Sequence, residues 1–151
     1  VDTSKPSYLF ETRETEVWKI GKDISKIKAK QGCLVVDLSG SDPMILAHDL
    51  SIDAGEYKYL KVRMKNTTSA TSSSLFFLHG SDKKSNWSGE KKVNFSISAQ
   101  DFDFKEYVID MSAVPNWSNK ITQLRFDVVN PAGVGSGRVY VDSIEFLKER
   151  P

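Results

Sequence analysis

Along much of this chain apolar and polar residues alternate with a period of two, the spacing that gives a strand one buried and one wet face. The clearest case is residues 57–65, where Leu60, Val62 and Met64 alternate with Tyr59, Lys61, Arg63 and Lys65. Residues 121–128 repeat it. Thr122, Leu124, Phe126 and Val128 fall on one face, with Ile121, Gln123, Arg125 and Asp127 on the other. Leu34, Val36 and Leu38 share a face, as do Val93, Phe95 and Ile97 opposite Asn94 and Ser96. Residues 43–50, 75–79 and 107–111 are shorter apolar runs, and 137–146 is rich in β-branched and aromatic residues, as a strand should be. Residues 8–20 read as an edge strand, a turn and a second short strand. Residues 22–30 fit a helical turn, and a strand through 24–29 fits equally.

Between these runs lie turn signals: Gly32, Ser39-Gly40, residues 52–55, a polar loop at 66–74 with no core residue, and a long loop at 80–89. Phe102 and Phe104 are expected to pack a corner, Pro115 breaks the chain, and residues 130–137 (NPAGVGSG) turn it back into a closing hairpin. About nine or ten short antiparallel strands without a long helix predict an all-β sandwich or barrel. The expected core includes Leu60, Val62, Met64, Phe95, Ile97, Leu124 and Phe126. No internal repeat, heptad or metal-finger spacing competes with this picture.

Length and composition narrow it further. A chain of 151 residues suits one domain with a real core. No stretch approaches the about 18–20 apolar residues of a membrane span, and no basic segment leads into an apolar one as in an export signal. The first six residues and residues 148–151 read as linker stubs, which makes residues 1–151 one module of a longer protein. Net charge is +1, which argues against a general nucleic-acid binder. The charge is uneven, however: residues 58–92 carry eight basic and two acidic side chains. The single cysteine, Cys33, lies in a strand-like run and reads as a small buried hydrophobe rather than a nucleophile.

The chain lacks G-x-S-x-G, P-loop, H-E-x-x-H and G-x-G-x-x-G motifs. A glycosidase needs two carboxylates about 5–9.5 Å apart, and Asp127 with Asp110 is one such candidate pair, although surface acids on a sandwich more often serve only to solvate it. Trp87 is set among polar and charged neighbours (SDKKSNWSGEKK), which marks it as an exposed platform rather than core. Trp117 reads as structural, and Trp18 as core or edge packing. Tyr59, Lys61, Arg63, His79, Asn94, Ser96, Arg125 and Asp127 are read as outward residues that would line a polar groove if their strands share a sheet. Arg125 and Asp127, two apart on one face, are placed to form an ion pair.

One stretch carries a family likeness. Trp117, a polar link, I-x-x-L-R-F-D from Ile121 to Asp127, a Gly-rich loop, and V-x-V-D-x-I-x-F from Val139 to Phe146 resemble the closing hairpin of bacterial carbohydrate-binding modules. Those are jelly-roll β-sandwiches appended to secreted glycoside hydrolases and polysaccharide lyases. The resemblance implies a jelly roll and non-catalytic polysaccharide binding that targets an attached, extracellular glycan-degrading enzyme. The binding residues would be Trp87, Tyr59, Lys61, Arg63, His79, Asn94, Arg125 and Asp127, in a monomer with no membrane or nucleic-acid partner. It also implies a structural Ca²⁺ held by Glu11 and Asp142, with Glu14 or Glu16 as alternatives to Glu11. Lys83, Lys84, Lys91 and Lys92 around Trp87, with Lys61, Arg63 and Lys65, point to an acidic polysaccharide. Neutral β-glucan or xylan is the alternative ligand, and a structural sandwich packing on a catalytic domain is the alternative role.

Overall fold

The computed structural model describes residues 6–130 and 137–151. Among the described residues twelve antiparallel strands build two sheets, and the only helical piece is a 3₁₀ turn, Met111–Ala113. The first sheet has the order β10 (Lys105–Asp110), β7 (Tyr59–Asn66), β12 (Gly137–Leu147), β4 (Cys33–Leu38), β3 (Ile24–Lys30), with β1 (Ser7–Tyr8) also paired to β12. The second runs β2 (Lys19–Lys22), β5 (Met44–Ala47), β11 (Lys120–Asn130), β8 (Ser72–His79), β9 (Lys92–Ser96), with β6 (Ile52–Asp53) also paired to β11. The architecture is the jelly-roll β-sandwich that the alternation and the resemblance predict. The strand count exceeds the expectation in part because Ile52–Asp53, read as the start of a turn, pairs with β11 as β6.

The core lies between the sheets and takes alternate residues from the central strands, while the outer strands β2, β9 and β10 hold no fully buried side chain. Leu60, Val62 and Met64 from β7 meet Leu124, Phe126 and Val128 from β11, and all are essentially without solvent contact. Phe95 is only half-buried, at the edge strand β9, where it stacks on Phe126 with centroids 6.4 Å apart. Trp117 plugs one end of the sandwich. It stacks on Phe146 at 5.4 Å, meets Phe77 edge-on, and donates its indole N–H to the Tyr57 carbonyl. Trp18 is buried against Tyr8, and Cys33 is buried, with burial pushing its thiol up. Pro6 accepts a backbone bond from Phe146, so it is part of the packed body.

Of the two readings open for residues 22–30 the strand is the one found: Ile24–Lys30 forms β3, joined to β4 by Gln31 and Gly32, both at positive φ (54° and 79°), as a two-residue hairpin of type I′ requires. Several local expectations need correction. The 66–74 segment does carry core: Ala70 joins the hydrophobic cluster, and Asn66 is buried. Asn66 satisfies itself locally, donating to the Ala70 and Ser98 carbonyls and accepting from the Thr68 N–H and hydroxyl. Phe102 packs no corner; it is exposed, and only Phe104 makes contacts, beneath Arg63 and Lys65. Most of the turn at 130–137 lies outside the described residues.

Candidate functional site

Strand parity sends the other half of each strand outward, and register decides which outward residues meet. On the second sheet Lys19, Leu46, Arg125, Phe76 and Lys92 stand opposite one another across β2, β5, β11, β8 and β9. At about 4.8 Å per strand the row is roughly 19 Å long. A second row, Asp127, Ser74 and Asn94, lies beside it, and Gln123 with Leu78 begins a third.

Arg125 is the centre of this face. Its Nε and Nη2 donate to the two carboxylate oxygens of Asp127 at 2.7 and 2.8 Å, and its guanidinium lies 4.1 Å from the Phe76 ring centroid. The bidentate fork and the ring below hold the guanidinium plane in one orientation, with the Nη1 N–H groups unspent. Burial pushes the Asp127 carboxyl up from its ordinary range, and the two bonds from Arg125 pull against that shift. Ser74 donates its hydroxyl to Asn94 at 2.6 Å and accepts from Asn130, which fixes the second row too.

The third row explains Trp87. Gln123 Oε1 accepts the Ser85 backbone N–H at 2.8 Å and lies 3.0 Å from His48 Nδ1. A backbone N–H only donates, so the amide atom facing it is oxygen. His48 must therefore donate from Nδ1, and in the neutral tautomer that this selects, Nε2 carries the lone pair, directed away from Gln123. The Trp87 ring lies beside that imidazole, 6.5 Å between centroids and tilted 33°. Trp87 is half-buried and takes no part in the core cluster. An apolar ring, an imidazole acceptor and a held guanidinium thus share one face, next to a hollow of about 450 Å³ that His48, Asp49, Gln123 and Lys84 help to line.

The loop that carries Trp87 is clipped at its base. Asp82 accepts Lys91 Nζ at 2.8 and 3.0 Å and the His79 backbone N–H at 2.7 Å. The bonded ammonium, and next the His79 N–H, hold the Asp82 carboxyl below its usual range. Asn116 adds a bond to the Glu90 carbonyl. A loop of polar sequence, with little core contact to order it, is ordered this way by a few charged and backbone bonds.

The predicted groove residues are not all brought together. Trp87, Asn94, Arg125 and Asp127 share the outer face of the second sheet. Tyr59, Lys61 and Arg63 project from β7, which belongs to the first sheet, so they face the opposite direction. There Lys61 pairs with Glu145 at 3.4 Å, Arg63 with Asp142 at 3.2 Å, and Tyr59 lies under Arg150. His79 is a second correction. It has the parity of Leu75 and Phe77 and stands opposite Ile121, itself inward because a bulge shifts the register between Ile121 and Gln123. Its Nε2 sits 2.9 Å from the Asn116 carbonyl, so it serves the loop base and not the face. Leu46, His48, Phe76 and Gln123 were missed as site residues. Parity alone would have found Phe76, between inward Leu75 and Phe77.

The expected calcium donors share their hollow with cations. Glu11 and Asp142 do line one hollow, of about 370 Å³, but Lys61 and Arg63 line it as well. Asp142 is held by Arg63 and Glu145 by Lys61, so two cations already sit where a dication's charge would go. Glu16 is spent on the Phe10 N–H, and no group of three acidic, His or Cys side chains converges among the described residues. This donor set does not fit Ca²⁺, which takes six or more oxygens. Asp110, the proposed catalytic partner of Asp127, lies on β10 in the other sheet and accepts from Ser112.

No known family profile matches the sequence, and no curated protein matches it. Solved structures do match, and most of the similar ones are carbohydrate-binding modules, of families 11, 29 and 86. The family 11 module from Clostridium thermocellum, solved with a β-1,3-1,4-mixed-linked tetrasaccharide, superposes with a TM-score of 0.60 at 18% identity, over 91% of this chain and 92% of that one. A cleaved adhesin domain of Lys-gingipain from Porphyromonas gingivalis gives 0.62 at 12% identity, over 95% and 98%. The glycoside hydrolase domain of Endo-D from Streptococcus pneumoniae gives 0.56 at 14%, and this chain spans only 22% of it. At these identities the likeness defines the fold: a β-sandwich of the carbohydrate-binding-module type.

Proposed function

We propose that this chain is a non-catalytic glycan-binding module whose site is the outer face of the second sheet, and that it takes a neutral β-linked chain. The observation that carries the reading is Trp87, held outside the core beside the His48 acceptor and near the fixed Arg125 guanidinium. A pyranose has an apolar C–H face and an equatorial ring of hydroxyls. The indole suits the first, while His48 Nε2, the Nη1 groups of Arg125 and Asn94 suit the second. The family 11 and family 86 neighbours, whose ligands are a mixed-linked glucan and xylan, support this class of ligand. A catalytic role finds no support in the site, since Asp127 is engaged by Arg125 and its supposed partner faces the other way.

A neutral ligand is favoured over an acidic one because four of the seven basic residues that pointed to an anion are off this face or paired, which leaves Lys83, Lys84 and Lys92 here. Lys61 and Arg63 lie on the other sheet, and Lys91 is tied to Asp82. In a larger extracellular enzyme, such a module would raise the effective concentration of the catalytic domain at its polymer. Titration calorimetry with mixed-linkage glucan and xylan oligosaccharides tests the reading. Saturable binding accompanied by a change in tryptophan fluorescence is expected. Failure to bind any neutral β-linked polysaccharide would overturn it.

A further inference from the structure

A row of cations without ion pairs lies on the first sheet, away from Trp87. Lys26, Lys28 and Lys30 project from the outer face of β3, since the intervening Ile27 and Ala29 pack inward against Val36 and Leu34. All three are exposed, and none has an ion pair among the described residues. Alternate residues on a strand are about 6.8 Å apart, so the three ammonium groups spread over roughly 14 Å in a line. Behind them on the same face stand Arg138, opposite Asp37, and Lys65, whose ammonium lies 4.2 Å from the Tyr140 ring centroid. Lys26, Lys28, Lys30 and Arg138 line a hollow of about 210 Å³ whose one carboxylate is Asp37. A second hollow, of about 530 Å³, shares Lys28, Lys30 and Gln31 with the first and adds Arg13 and Glu11. The two together form a trough along β3 with five cations and two carboxylates.

We propose that this trough is a second glycan site, separate from the Trp87 face, and that it binds a linear polysaccharide bearing carboxylates. Charge complementarity selects an anion, and the straight row of lysines selects an extended one. Tyr140, the aromatic lining the first hollow, is capped by Lys65, so the trough has no stacking platform for nucleic-acid bases. A different job for lysines must be set against this. β3 is the last strand of its sheet, and lysines on an edge discourage strand-to-strand aggregation. That role needs no particular ligand and no shared hollow, so the two roles separate in experiment.

The test is affinity electrophoresis of the whole chain in gels holding sodium polygalacturonate, or the same polymer fully methyl-esterified. Retardation is expected only with the free acid. It should fade as salt rises to about 0.5 M, where the Debye length falls well below 10 Å. The Lys26→Gln/Lys28→Gln/Lys30→Gln variant should bind roughly tenfold more weakly or not at all, while keeping its titration with neutral mixed-linkage glucan. Should that variant self-associate on gel filtration, the single Lys28→Gln variant is measured instead, and a graded loss is expected. A sulfated polysaccharide arm separates a carboxylate preference from attraction to any anion; stronger retardation by sulfate overturns the carboxylate assignment. Undiminished retardation of the triple variant would overturn the site. So would stronger retardation by duplex DNA, or loss in Lys83→Gln/Lys84→Gln instead. Failure of neutral glucan to bind native protein would strike the Trp87 reading alone and leave this one standing.

Discussion

The two outer faces of this sandwich are built from similar strands but do opposite things with their polar residues. On the second sheet the polar side chains hold one another: Asp127 fixes Arg125, Gln123 fixes His48 and the Trp87 loop, and Asn94 receives Ser74. Their remaining donors and acceptors point out in a set geometry, which is how a site reads the shape of an uncharged ligand. On the first sheet the pairs Lys61–Glu145 and Arg63–Asp142 cancel charge at the middle, and the uncancelled lysines run along the rim strand β3. That arrangement has little geometric selectivity and much field. Order suits hydroxyl recognition, and a loose row of charge suits a polyanion.

The contrast is tested most severely through the core that both faces share. Leu124→Ala should lower stability by about 2–5 kcal/mol, as for buried leucines generally. Chemical denaturation measures it, and a loss under about 0.5 kcal/mol would mean that β11 is inverted and the assignment of faces with it. Next comes Trp87→Ala, which should weaken neutral-glycan binding by roughly thirtyfold or more, the ~2 kcal/mol of a binding hot spot. The fold should keep its melting temperature, because Trp87 is not core.

A smaller effect should follow from acid. Asp82 has a depressed folded pKa, so its clip on the loop is present above the ordinary carboxylate value, about 3.9, and is lost as pH falls through and below it. Trp87 fluorescence should shift in that window ahead of global unfolding, and Asp82→Asn should remove the shift. The smallest effect expected is none. Melting curves with added Ca²⁺ and with excess EDTA should superimpose, because Arg63 and Lys61 already neutralise Asp142 and Glu145. A clear rise in melting temperature with Ca²⁺ would show that the acids of the first sheet can exchange their partners for a metal.

The sequence made the layers legible, because alternation reports which side of a strand is wet. Leu60, Val62, Leu124 and Phe126 needed nothing more. Alternation is silent on which sheet a strand joins, and so Lys61 and Arg63 were grouped with Arg125 although β7 and β11 lie in different layers. It is also blind to bulges. The shift between Ile121 and Gln123 turns Ile121 inward, contrary to the simple period. His79 was misplaced against its own parity with Leu75 and Phe77. That Trp87 lies outside the core was legible from its polar surroundings, though it is half-buried rather than exposed; His48 was not legible, because its placement depends on an amide seventy-five positions away.

The placing of the two faces on opposite sheets has a mechanical consequence. Their backbones are about 10 Å apart and their side chains point in opposite directions, so one straight polymer cannot lie along both at once. With both proposed sites occupied, a single copy would tie a neutral chain to an acidic one, as a rivet joins two plates. In a mixed polymer network it would act as a crosslink, and its residence there would be set by the product of two weak attachments rather than by either alone.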